Sequence, residues 1–89
     1  LEQGAADKAV VSLERALKEF DRLETKATPA RAEALLGLGR AHLAQGDAAK
    51  ALPPLEQAEQ FWQTFDPASR AALDAREWLE RARTARGRS

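Results

Sequence analysis

The most constraining feature of the sequence is an internal repeat. The segment LEQGAADKAVVSLERA at residues 1–16 aligns without gaps on LAQGDAAKALPPLEQA at residues 43–58, an offset of 42 residues. A second alignment sets GLGRAHLAQG at residues 37–46 against WLERARTARG at residues 78–87, at an offset of 41 residues. A unit that recurs every ~20 to 50 residues is typical of arrays in which neighbouring copies stack. The sequence therefore predicts a stack of similar units.

The composition indicates an all-α protein. Ala, Leu, Glu and Arg dominate, and all four are good helix formers. A chain of 89 residues is at most one domain with a thin core. It has no cysteine, so neither disulfides nor thiolate metal sites can reinforce that core, and an intracellular location is favoured.

The charge balance disfavours two classes of partner. Fourteen basic and fourteen acidic side chains cancel, which leaves no general attraction to nucleic acid or to an anionic membrane. No apolar run approaches the ~20 residues that cross a bilayer, and the first residues lack the pattern of a signal peptide. We expect a cytoplasmic protein with no membrane partner.

Prolines and glycines divide the chain into helices. Thr28-Pro29 and Asp66-Pro67 each have the pattern of a helix N-cap followed by proline in the first turn. Gly4 and Gly46 are predicted to end the helices before them, as is Gly87. The predicted helices are 6–24, 29–45, 48–65 and 67–85. Pro53 and Pro54 fall inside the third, for which we expect a start near Ala49 or a kink.

Small residues mark the predicted helix crossing. Gly39 costs about 1 kcal/mol of helix propensity, which close packing of two helices would offset. We expect Gly39 to meet Ala51 and Ala58 on the next helix. On that basis Gly39→Leu should destabilise the fold by several kcal/mol, and Gly39→Ala should be nearly neutral.

The spacing of these residues resembles the tetratricopeptide repeat. That family follows the pattern W-x2-L-G-x2-Y, then A-x3-F, then P. The residues that carry the resemblance are Leu35, Leu38, Gly39, His42, Ala51, Leu55 and Ala58. The repeat length of 41 or 42 residues is similar to the long-repeat variety of kinesin light chains and of bacterial signalling and regulatory proteins. The resemblance implies antiparallel helical hairpins stacked as a short right-handed solenoid of about four helices.

We expect residues 1–89 to form a single array. Residues 1–27 correspond to the second half of a truncated repeat, residues 28–65 to a full repeat, and residues 66–89 to a terminal capping helix. In the last unit, three positions that pack in the repeat pattern hold charged residues, which suit the polar outer face of a cap. These are Arg76, Glu80 and Arg83.

The resemblance also implies where a partner binds. In this family the first helix of each pair lines a concave groove that binds proteins or peptides. Carried onto this sequence, the groove positions are Glu33, Leu36, Gly37 and Arg40, and in the last unit Asp74, Glu77 and Arg81. The alternative interpretation is that these charges only solvate helix faces. The chain has no asparagine, so the family's carboxylate clamp of lysines and asparagines is not expected.

The residues give no support to catalysis. His42 is the only histidine, and its place in the repeat indicates a packing role. No nucleotide-binding, zinc-protease or serine-hydrolase motif occurs. We therefore expect a non-enzymatic scaffold without cofactor or metal, the C-terminal portion of an array in a larger, bacterial regulatory or signalling protein.

Three other interpretations remain open. The first helix is rich in apolar residues, which favours a homodimer through this helix. The tail RARTARGRS at residues 81–89 would contact nucleic acid, although four arginines at a terminus are more typical of a solvated end. Phe61, Trp62 and Phe65 belong either to the core or to a contact surface, since Phe61 and Trp62 point about 100° apart.

Overall fold

The chain folds into four α-helices. The structure is a computed structural model and describes residues 2–23 and 28–87. The helices are α1 (Glu2–Arg22), α2 (Pro29–Ala44), α3 (Ala48–Phe65) and α4 (Arg70–Gly87). The described ranges contain no strand. The predicted all-α class is confirmed.

The helices stack in chain order. Each packs against the next one, and α2 also touches α4. Short connections make consecutive helices antiparallel, so α2 and α4 run in the same direction. Contacts that join each helix to the next, with α2 also reaching α4, are what stacked helical hairpins produce.

The core lies on both sides of α2. One part, between α1 and α2, contains Val10, Leu38 and Ala41. The larger part joins α2, α3 and α4, and its buried residues fall into two adjoining groups. They are Ala32, Leu35, Ala58, Trp62, Ala72 and Ala75, and Ala51, Leu52, Leu55, Leu79 and Ala82.

The predicted boundaries of α2 at Pro29 and Gly46 are confirmed. The Thr28 hydroxyl accepts a hydrogen bond from the Arg31 N–H (3.2 Å), and Pro29 opens α2. At the other end Gly46 has a φ of 80°, a conformation that L side chains rarely adopt. The Gly46 and Asp47 N–H groups bond back to carbonyls of the last turn of α2. Asp47 then caps α3 by accepting from the Lys50 N–H (3.1 Å).

The predicted end of a helix at Gly4 is wrong. Helix α1 begins at Glu2 rather than at residue 6, so Gly4 lies in its first turn. The repeat explains why. Asp47 follows Gly46 and starts a new helix, whereas the residue after Gly4 is Ala5, which has no side-chain acceptor to cap one. The other predicted boundary of α1, residue 24, lies outside the described residues; the helix ends at Arg22.

The predicted start of α4 is also wrong. Asp66 is the C-cap of α3, and its N–H bonds to the Trp62 carbonyl (2.8 Å). Because Asp66 still belongs to α3, the chain needs the next three residues to reverse direction. Ser69 caps α4 instead, with its hydroxyl accepting from the Ala72 N–H (3.1 Å). Pro67 therefore lies in the turn, and α4 begins at Arg70.

The close crossing of α2 and α3 is present, but its geometry differs from the expectation. A Cβ atom at Gly39 would lie 2.3 Å from Cγ of Leu55, and its nearest neighbours all belong to that residue rather than to Ala51 or Ala58. Leu55 is fully buried and fills the space above the glycine. The expectation that Gly39→Ala is nearly neutral is therefore incorrect, because even a methyl group would meet Leu55.

Helix α3 continues through both prolines. Its bounds, Ala48–Phe65, are those predicted for the third helix. Since proline has no N–H, the carbonyls of Ala49 and Lys50 lose their helical donors. Both lie in the first turn of the helix, and both residues are exposed, so water can reach those carbonyls.

Candidate functional site

The predicted groove residues come from α2 and α4, and we call the surface that they define the α2–α4 face. It comprises Glu33, Leu36, Gly37 and Arg40 of α2 and Asp74, Glu77 and Arg81 of α4. On each helix the residues recur at intervals of three, four or seven, so they project from the same side. Both helices run in the same direction, so corresponding positions of the two lie side by side.

Two arginines of the α2–α4 face each lie over the same indole ring. The guanidinium carbon of Arg40 lies 4.9 Å from the ring centroid of Trp78, and that of Arg81 lies 4.5 Å from it. Arg40 comes from α2, whereas Trp78 and Arg81 come from α4. Both distances are within the range of a cation–π interaction. The structure therefore brings Arg40 and Arg81 to the same indole ring.

The acidic residues occupy the other end of the face. Glu33 and Glu77 are exposed, whereas Asp74 is half-buried and pairs with Arg70 (3.5 Å). Glu33 precedes Arg40 by seven residues, and Asp74 precedes Arg81 by seven, which is about 10 Å along each helix. The face is thus acidic towards the start of the two helices and basic further along.

An apolar groove adjoins the basic end. It has a volume of about 690 Å³ and lies between α1 and α2, with Trp78 of α4 at its edge. Most of the lining residues are alanine or glycine. The full lining is Ala5, Ala6, Ala9, Leu13, Gly37, Arg40, Ala41, Leu43, Ala44 and Trp78. Arg40 and Trp78 therefore belong both to this groove and to the arginine pair.

The comparison with known families identifies the scaffold. The family model for the tetratricopeptide repeat matches residues 1–64. The chain belongs to the tetratricopeptide repeat family. Membership indicates a scaffold for protein–protein interaction. Neither the search of curated proteins nor the search of solved structures gave a match.

Two of the predicted site positions contribute mainly to the tetratricopeptide packing. Leu36 is half-buried and packs against both groups of core residues around α3. Gly37 is half-buried, and a Cβ atom there would lie 3.2 Å from Leu13 of α1. The polar members of the face are therefore the ones open to a partner.

The tetratricopeptide packing also accounts for His42. It is buried, and its Nδ1 lies 2.9 Å from Oε1 of Gln45. The Gln45 amide donates in turn to Asp7 on α1 (2.6 Å). This chain of hydrogen bonds ties the end of α2 to α1. Among the residues that the structure describes, no group of three His, Cys, Asp or Glu side chains could hold a metal ion.

The aromatic cluster of α3 divides between core and surface. Trp62 is buried, whereas Phe61 is half-buried and Phe65 is 59% exposed. The rings of Phe61 and Phe65 stack with centroids 5.1 Å apart. They line a second groove of about 560 Å³ with residues such as Arg31, which lies on the side of α2 away from Glu33.

In the described helices no segment is long and apolar enough to span a membrane.

Trp78 is the site residue that sequence analysis did not include. Its apolar character and helical spacing indicate a core residue, and it does pack partly against the α3–α4 core. A signal was present in the alignment, because Trp78 corresponds to Gly37 at the offset of 41 residues. At this groove position the last unit has tryptophan where the unit before it has glycine.

Proposed function

We propose that this chain is a non-enzymatic interaction module that binds a protein or peptide segment on the α2–α4 face. We place it in the cytoplasm, as the C-terminal portion of an array of the long-repeat variety within a larger bacterial regulatory or signalling protein. In this proposal residues 1–27, 28–65 and 66–89 are the truncated repeat, the full repeat and the terminal cap.

The observation that carries the proposal is the arginine pair over Trp78. Corresponding positions of two successive units, Arg40 and Arg81, present the same group on the same face. Both arginines are exposed, so a ligand can reach them. A stiff stack of helices holds this surface in place, which lowers the ordering cost of binding on the protein side.

The far end of the molecule supports the assignment of a cap. By the offset of 41 residues, the buried α2 residues Leu35, Gly39 and His42 correspond to Arg76, Glu80 and Arg83 of α4. All three α4 residues are exposed, and Arg83 pairs with Glu80 (3.0 Å). A further helix packed there would bury these charges.

The test is peptide selection on the 89-residue chain. A display library of random 12-residue peptides is selected on the wild-type chain and on the double variant Arg40→Glu/Arg81→Glu. We expect the wild-type chain to select a family of related peptides and the double variant to lose them while remaining helical. Peptides that bind both proteins equally would place the binding surface elsewhere.

Self-association through α1 is a second candidate function, favoured by one specific observation. Ala9, Leu13, Ala16 and Phe20 are half-buried, whereas their counterparts at the offset of 42 residues are buried under α2. Those counterparts are Ala51, Leu55, Ala58 and Trp62. A second copy covering this side of α1 would bury the same positions, and sedimentation at several concentrations would detect the dimer.

A further inference from the structure

We propose that Arg40, Trp78 and Arg81 form a carboxylate subsite, and that it takes the side chain of an Asp or Glu in a partner peptide. This inference rests on the proposed function, because it specifies the chemistry that the α2–α4 face recognises.

The first reason is that two like charges are held against the same ring. The guanidinium groups come from different helices, yet each lies within 5 Å of the same ring centroid. Exposed arginines that repel one another are free to spread into water. Stacking on the indole stabilises each by ~0.5–1 kcal/mol and keeps both at one place on the surface.

The second reason is that neither charge is neutralised within the described residues. Four other arginines have carboxylate partners, in the pairs Arg22–Glu19, Arg31–Asp21, Arg70–Asp74 and Arg83–Glu80, whereas Arg15, Arg76 and Arg86 have none among the described residues. For Arg40 and Arg81, no carboxylate in residues 4–23 and 28–87 is within ion-pairing distance, although Glu77 lies one helical turn before Arg81. A guanidinium stacked on a ring keeps its N–H edges free for an acceptor in its own plane.

The third reason concerns the kind of anion. Glu33 and Asp74 lie on the same face, about 10 Å along their helices from Arg40 and Arg81, and Glu77 lies about 6 Å from Arg81. A nucleic-acid backbone carries a charge at every phosphate and would bring some of them against these acids. A peptide can offer one carboxylate alone. The charge pattern of the face therefore fits an acidic side chain rather than a polyanion.

The fourth reason concerns the residues next to that carboxylate. Arg40 and Trp78 also line the apolar groove between α1 and α2. Apolar side chains of the ligand would lie against Ala5, Ala9 and Leu13 while its acidic residue reaches the arginines. The expected ligand is a segment with an Asp or Glu beside small or medium apolar residues.

The test uses the peptides selected on the wild-type chain. They are synthesised with an acetylated N-terminus and an amidated C-terminus, so that side chains carry the only carboxylates. We expect the selected peptides to share an Asp or Glu, and its replacement by Asn or Gln to weaken binding about tenfold or more. The indole N–H signal of Trp78 should shift with the acidic peptide and much less with the neutral one.

Protein variants show whether the arginines are responsible. Arg40→Gln/Arg81→Gln should weaken the acidic peptide by the same factor, and neutralising the peptide should then have no further effect. Arg76→Gln/Arg86→Gln is the matched control, since it removes the same charge from exposed positions of α4 away from Trp78. We expect it to change affinity less than about twofold.

The outcomes separate this inference from the proposed function. If selected peptides bind the α2–α4 face but tolerate loss of the acid, the carboxylate subsite is wrong and the function stands. If the folded chain selects no peptide, both are wrong. Tighter binding of a 20-nucleotide single strand than of any peptide, with loss in the Gln variant, would overturn the choice of a peptide carboxylate.

Discussion

Gly39→Ala is the substitution that tests the packing of this molecule most sharply. Alanine is the better helix former, so propensity alone predicts a gain of about 1 kcal/mol. The structure predicts the opposite sign. The new Cβ would lie 2.3 Å from Cγ and 2.5 Å from Cδ2 of Leu55, whereas carbon atoms in contact prefer ~3.5–4.0 Å.

The size of the effect follows from where the clash falls. Cγ of Leu55 is a branch point in a fully buried side chain, so rotating the end of that side chain does not relieve the contact. Overpacking of this kind costs ~1–3 kcal/mol, and displacement of a branch carbon belongs near the upper end. After the gain in propensity, we expect a net loss of about 1–2 kcal/mol in the free energy of unfolding.

Gly37→Ala is the matched control, two residues away on the same helix. Its Cβ would lie 3.2 Å from a terminal methyl of Leu13, which is half-buried and can move. The gain of ~1 kcal/mol in propensity should then be largely kept. Urea denaturation of the three proteins should therefore separate the two variants by about 2–3 kcal/mol.

A second background identifies Leu55 as the cause. In Leu55→Ala, which removes the clashing atoms, Gly39→Ala should become stabilising by ~1 kcal/mol. The reasoning is refuted if Gly39→Ala is as stable as Gly37→Ala, or if its effect is the same with and without Leu55.

Three further predictions concern the face, a cap and α1. Arg40→Glu/Arg81→Glu should abolish peptide binding in titration calorimetry and leave the circular dichroism spectrum unchanged, because the two cation–π contacts that are lost contribute only ~1–2 kcal/mol in total. A large loss of helix would mean that the fold depends on these arginines. Ser69→Ala should lower the free energy of unfolding by about 1 kcal/mol and the melting temperature by ~4–8 °C, whereas Asp66→Ala should have little effect. A larger loss of stability in Asp66→Ala than in Ser69→Ala would show that Asp66 is the N-cap of α4. If the chain self-associates through α1, sedimentation should show a dimer that Ala5→Glu dissociates and Val11→Glu does not. Ala5 lines the apolar groove between α1 and α2, whereas Val11 is exposed elsewhere on α1. A monomer at all concentrations would exclude self-association through α1.

The repeat in the sequence was enough to predict four helices and the faces on which two of them pack. Leu35, Leu38 and His42 are buried on α2, and the boundaries at Pro29 and Gly46 depend on local backbone chemistry that the sequence shows directly. The first residue of a helix was harder to predict, because neighbouring residues with suitable side chains compete to be its N-cap. Asp66 and Ser69 both have suitable side chains, and only the path of the preceding helix decides between them.

The contacts between units were not predictable from the repeat alone. An offset places two residues at equivalent positions, but it does not specify which side chain fills the space between two helices. Gly39, for example, contacts Leu55 rather than Ala51 or Ala58, the two alanines that flank Leu55 on α3. The arginine pair depends likewise on the separation of α2 and α4, which brings Arg40 of one unit over Trp78 of the next.

The most direct test of the proposed binding surface is nuclear magnetic resonance of the labelled chain with a selected peptide. If the α2–α4 face binds the ligand, the backbone amides that shift should cluster on α2 between Glu33 and Ala44 and on α4 between Asp74 and Arg81, together with the Trp78 indole. Shifts confined to the groove beside Phe61 and Phe65, with the Trp78 signal unmoved, would contradict it.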